Sequence, residues 1–215
     1  MKYIFSICLL YFSFFANGQD QPSIKVTADS IKSRCFDNAT FRRSKYKKNI
    51  DSAFEIVSAV FNDSGFPSKI STTNFPCENR CCISCKENHD SISGKEILDS
   101  LFRELNVTMT IRVKKKCRGK LGSTLYHQYY TLGCLKNIQA DMPKLPLSYA
   151  IAVNLCHEYM HHIGFYHSHF DLSEQKDNEI PNPDGYKNDI AYHVGWDAYF
   201  TVKTWYESRA RIRGL

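Results

Sequence analysis

The chain has 215 residues, 43% of them hydrophobic and 23% charged, with a formal net charge of +6. That size and balance support one domain with a buried core and leave little room for a second. Ten glycines and seven prolines, spread without a period or a long biased tract, exclude collagen-like, disordered and coiled-coil architectures.

Lys2 precedes an apolar run from Tyr3 to Phe15, followed by Ala16-Asn17-Gly18. This is the pattern of an export leader, residues 1–18, cut before Gln19 with small residues at the −3 and −1 positions. The run is too short for a membrane span, which needs roughly 20 residues. A secreted chain, extracellular or periplasmic, without stable membrane insertion is therefore expected, its single domain covering residues 19–215.

Loss of the leader removes Cys8 and leaves Cys35, Cys77, Cys81, Cys82, Cys85, Cys117, Cys134 and Cys156. In an exported chain this even set predicts up to four disulfide bonds, and the Cys77 to Cys85 cluster reads as part of that framework rather than as a zinc knuckle. The pairing stays open. The basic runs Lys45 to Lys48 and Lys114 to Lys120 read as solvated faces, so no nucleic-acid partner is expected.

Ile50, Ala53, Phe54, Val57 and Phe61 fall on one stripe at helical spacing and predict a first helix over 50–61, stopped by Asn62-Asp63-Ser64-Gly65. A second helix is predicted over 94–105. Residues 107–113 alternate with period two as a half-buried strand does, 126–132 are aromatic and β-branched enough for a neighbouring strand, and 137–142 suggest a third. After Pro143 and Pro146 an apolar helix is expected from Leu147 to Ile163, closed by Gly164 as a left-handed cap. A polar loop over 171–189 leads to a terminal helix over 196–211. The order predicts an α+β fold with helices packed on one mixed sheet.

Residues 157–167 read His-Glu-Tyr-Met-His-His-Ile-Gly-Phe-Tyr-His, which is HExxHxxGxxH. His157 and His161 lie one turn apart on the same helix face and can bind a single cation. Glu158 sits about 100° round the helix from them, beside the ion rather than on it, where a carboxylate can take a proton from water. Gly164 lets the chain leave the helix sharply and bring His167 back as a third nitrogen ligand, so that one position stays open for water and substrate. By chance the eleven-residue pattern would arise on the order of once in 50,000 sequences of this composition.

On these residues the chain resembles the metzincin clan of zinc metallopeptidases, whose signature is this motif on an active-site helix and its exit turn. The resemblance implies Zn2+ bound by His157, His161 and His167, with Glu158 as general base in peptide-bond hydrolysis. It also implies a metzincin-like fold: a twisted mixed sheet with packed helices, an active-site helix, and a smaller C-terminal subdomain after Gly164. Metzincins place a methionine turn beneath the zinc, but here the methionines are at positions 1, 109, 142 and 160. The segment from Ile190 to Gly195 stands where that turn is expected and could form a floor from other side chains. Within it Tyr192 either approaches the zinc and the reacting carbonyl, as a tyrosine does in some members, or is an ordinary packed tyrosine.

Several neighbours compete for roles. His162 is rotated off the metal face and reads as structural. His169, Asp171, Glu174, Glu179 and His193 are alternative ligands that fit the spacing less well than His167. Cys156 points away from His157 and is expected to join a disulfide, as is Cys35 after Arg34. Asp184, Asn188 and Asp189 could offer oxygen atoms to calcium but match no calcium loop, so a plain surface loop is expected. The reading is a monomeric zinc endopeptidase acting on protein or peptide substrates, with an extended substrate pairing along an edge strand over 126–132. The alternatives are a zinc-stabilised binding or toxin-like module without turnover, and a zinc amidase acting on non-protein amides.

Overall fold

A computed structural model describes residues 24–33, 45–76, 91–114, 121–124, 130–165 and 189–212. Along these the elements are β1 (Lys25–Ser33), α1 (Lys45–Phe61), α2 (Gly65–Ser71), β2 (Asn74–Pro76), β3 (Ser91–Ser93), α3 (Gly94–Leu101), β4 (Asn106–Lys114), β5 (Gly122–Thr124), β6 (Tyr130–Cys134), α4 (Leu135–Asp141), α5 (Leu147–His162) and α6 (Ile190–Ile212). The expected leader, residues 1–18, lies outside the described residues. The fold is mixed α+β. Among the described residues no helix is long and apolar enough to cross a membrane.

The alternation around Val107 produces β4, which buries Val107, Met109, Ile111 and Val113. β4 lies inside a four-stranded sheet of order β1-β4-β6-β5, with β1 and β6 parallel to it and β5 antiparallel to β6. β1 escaped the sequence reading because its register slips between Ala28 and Ser30. Such a bulge breaks the period of two by which a strand is recognised. A separate two-stranded ribbon joins β2 to β3.

β1 is an edge strand, and α1 covers its outer edge. Asn62 Oδ1 accepts from the Ile24 N–H at 2.9 Å while its Nδ2 donates to the Ile24 carbonyl at 2.8 Å. One turn earlier Ser58 Oγ accepts from the Val26 N–H at 2.9 Å, and its hydroxyl proton is within reach of both the Val26 carbonyl at 3.2 Å and the Phe54 carbonyl at 3.0 Å. These side chains satisfy backbone groups that would otherwise invite another strand, each bond contributing about 1 kcal/mol net.

Two expected strands are corrected. The segment over 137–142 belongs to helix α4, because Leu135 and Ile138 are buried at a spacing of three, with Met142 buried four further on, a helical rather than an alternating pattern. The strand expected over 126–132 is described from Tyr130 to Cys134, and it sits between β4 and β5 rather than at an edge. The edge beside it is the short β5, whose three residues carry too little pattern to be read alone.

The predicted second helix stops at Leu101 and starts with a capping box, Ser93 Oγ accepting from the Glu96 N–H and Glu96 Oε2 accepting from the Ser93 N–H. Helices α1 and α5 lie together on the sheet, α1 toward β1 and α5 toward β5 and β6. Phe61 of α1 and Tyr159 of α5 meet with ring centroids 5.4 Å apart, both fully buried. α5 is buried nearly all round, from Ala150 through Cys156 and from Glu158 through His161. Its other flank is taken by α6, which runs antiparallel to it: His157 meets Tyr192, and eight residues earlier Tyr149 meets Tyr206. α6 begins at Ile190, six residues before the expected start of the terminal helix.

Candidate metal centre

Helix α5 ends where the sequence predicts. The Ile163 N–H bonds to the Tyr159 carbonyl, the Gly164 N–H to the His161 carbonyl at 3.2 Å, and Gly164 takes φ 103°, the left-handed conformation that a side chain disfavours. The Phe165 N–H then returns to the Met160 carbonyl at 2.9 Å. This hydrogen-bonded reversal turns the Phe165 carbonyl onto the ring of His161, whose Nδ1 lies 2.6 Å from it. A carbonyl accepts only, so Nδ1 carries the proton and Nε2 presents its lone pair. That is the tautomer a metal-binding imidazole needs, held by the kind of outer hydrogen bond that orients such ligands.

The two Nε2 atoms of His157 and His161 are 3.2 Å apart, with the rings nearly perpendicular and their centroids at 4.9 Å. Two nitrogens bound tetrahedrally to one zinc at about 2.0–2.1 Å stand roughly 3.3–3.4 Å from each other. The separation of the pair is close to that spacing. His161 is buried at 6% exposure, whereas His157 is half-buried and forms the more open side. Among the described residues no group of three or more histidine, cysteine or carboxylate side chains gathers to hold a metal. The third-ligand candidates His167, His169, Asp171, Glu174 and Glu179 all lie outside the described residues.

Glu158 faces the sheet. It is 3% exposed, and a carbon added to Gly122 of β5 would stand 2.3 Å from Glu158 Oε1 and 2.7 Å from Asn154 Nδ2. The carboxylate is therefore seated directly on the backbone of the edge strand, and a side chain at 122 would require Glu158 and Asn154 to shift. Gly122→Ala is expected to destabilise the protein by about 1–3 kcal/mol through this overlap, measured by urea unfolding. The control Gly133→Ala, whose added carbon would stand 3.8 Å from Ile111 Cδ1, an ordinary contact, should leave the midpoint nearly unchanged.

The remaining sequence candidates fall into place around this pair. Tyr192 is half-buried, its ring centroid 4.8 Å from that of His157. His193 turns to Asp197, Nε2 to Oδ2 3.3 Å, and sets its ring edge-on to Phe75 at 5.0 Å. His162 stacks on Tyr159, and burial holds its imidazole below the ordinary histidine range against the opposing influence of Glu104. Asp189 is 6% exposed and caps α6, Oδ1 accepting from the Tyr192 N–H at 3.0 Å, while Asp184 and Asn188 lie outside the described residues.

The cysteine expectation needs one correction. Cys156 is a free thiol, fully buried in the core and pushed up in pKa by that burial, and joins no disulfide. Its burial in the core favours the neutral thiol over a thiolate beside His157. Cys134, by contrast, is disulfide-bonded. The other six cysteines of the expected mature chain, with Arg34, lie outside the described residues.

Sequence reasoning missed Gly122, Asn154, Gly195 and the capping role of Asp189. Asp189 carries the one local signal, an aspartate three residues before the tyrosine whose N–H it binds. The chain matches no family model, and no curated protein and no solved structure is significantly similar to it.

Proposed function

We propose that the chain is an exported zinc-dependent endopeptidase of the metzincin type, with His157, His161 and His167 as the metal ligands and Glu158 as the general base. The observation that carries this reading is the pair of Nε2 atoms 3.2 Å apart on successive turns of α5, one of them fixed by the Phe165 carbonyl. A bound zinc supplies a Lewis acid that polarises the scissile carbonyl and acidifies water.

The chain's own residues account for the rest. Glu158 takes a proton from the attacking water as its oxygen bonds to the carbonyl carbon, and gives that proton to the amide nitrogen as the C–N bond breaks. Among the described residues the sheet ends on this side at β5, and an extended peptide can add to it as a further strand. Gly122 lies on that edge against Glu158, so the strand that would bind a peptide main chain is also the one on which the base is seated. The Tyr192 ring packs on His157.

The test is hydrolysis of casein or gelatin by the secreted chain, with and without 1,10-phenanthroline, and after zinc is restored. Cleavage that stops with the chelator and returns with zinc is the expected result. Stoichiometric zinc with no cleavage would instead favour a zinc-stabilised binding module, and a chain that takes up no zinc would remove the basis of the proposal.

A further inference from the structure

We infer that the first two turns of α6 form the support that fixes His157 for metal binding, through Gly195, Tyr192 and the Asp189 cap. This inference rests on the zinc reading above. His161 is oriented by a hydrogen bond to a carbonyl; the aspect of His157 that faces α6 is shaped by packing.

Gly195 brings the backbone of α6 against the root of the His157 side chain. A carbon added there would stand 3.2 Å from His157 Cβ and 3.5 Å from Nδ1. The first distance is shorter than the roughly 3.5–4.0 Å at which carbon atoms rest in contact. One turn earlier, on the same face of α6, the Tyr192 ring lies against the imidazole at 4.8 Å, tilted by 57°. Glycine backbone below and tyrosine ring beside it bound the space in which the imidazole can turn, and in the orientation they allow, its Nε2 lies 3.2 Å from that of His161.

The phase of α6 decides whether positions 192 and 195 both face His157, and that phase is set at its start. Asp189 Oδ1 accepts from the Tyr192 N–H at 3.0 Å, and the Asp189 carbonyl accepts from the His193 N–H at 2.8 Å. The cap therefore acts on the very residue whose ring meets the ligand. A rigid helix start here occupies the place in which the resemblance expects a methionine turn. Asp189, Gly195 and Tyr192 are positioning residues, since each acts through His157.

The experiment measures zinc affinity by competition with a chromophoric chelator, and the visible absorption of the cobalt(II)-substituted protein, in the full secreted chain. Variants are Gly195→Ala, Tyr192→Ala, Tyr192→Phe, Asp189→Ala and Asp189→Asn, with Thr204→Ala on the exposed side of α6 as control. Gly195→Ala and Tyr192→Ala are expected to weaken zinc binding about 10–100-fold, the usual cost of losing an outer support, and to shift the cobalt bands. Tyr192→Phe keeps the ring and should retain parental affinity. Asp189→Ala should fall between, with rescue by Asp189→Asn, which still accepts the cap hydrogen bond.

Zinc affinities of Gly195→Ala and Tyr192→Ala within twofold of the parent, with unchanged cobalt spectra, would overturn the inference. If His157→Ala abolishes tight zinc binding in the same assay, that result leaves the zinc reading standing and removes the support alone. If the parent takes up no zinc, or His157→Ala binds it as the parent does, the zinc reading fails and the inference with it.

Discussion

Glu158→Gln is expected to lower kcat by about 10²–10⁴, the contribution a positioned general base makes, while zinc content stays at the parental level. The substitution is nearly isosteric, which matters because the side chain is 3% exposed and wedged between α5 and the Gly122 backbone. A smaller residue would open a cavity and confuse loss of chemistry with loss of structure; glutamine keeps the volume and loses the proton acceptor. The measurements are steady-state hydrolysis of a fluorogenic peptide and metal analysis of the same sample. Parental kcat in the glutamine variant would move the base to another residue. Zinc lost along with activity would mean that Glu158 supports the metal rather than the proton transfer.

His161→Ala is the second large effect. Deleting a direct ligand is expected to weaken zinc binding by more than the hundredfold upper range for loss of an outer partner. It also leaves the Phe165 carbonyl without its donor from Nδ1 in a buried turn, at a cost to the metal-free protein of about 1–3 kcal/mol. Two readouts therefore separate: zinc affinity by chelator competition, and the urea midpoint in the presence of a chelator. His162→Ala, one residue further round the helix and stacked on Tyr159, should leave zinc affinity near the parental value. Equal losses from both substitutions would show that the helix, and not the Nε2 pair, is what the metal depends on.

The helix that bears the candidate site was legible because its logic is local. The i, i+4 spacing of His157 and His161 fixes a shared face in any α-helix, and Gly164 marks the exit because few other residues accept φ 103°. Strand β4 was equally plain in its alternation. Strand β1 was not, since a bulge between Ala28 and Ser30 shifts its phase, and α4 was mistaken for a strand because a window opened at Asn137 leaves out Leu135. The fate of Cys156 could not follow from counting cysteines, as burial in the core rather than parity keeps it reduced.

The amino-acid order alone determined which side chains can share a helix face, where that helix ends, and that the chain alternates helices with strands, because these depend on contacts within a few residues. The tertiary structure decided that β5 and not β6 is the edge, that Glu158 rests on Gly122, and that α6 meets His157 at Tyr192 and Gly195. The last two join residues more than thirty positions apart. Such approaches are set by strand order and by how closely two backbones can pack, quantities that no local spacing records.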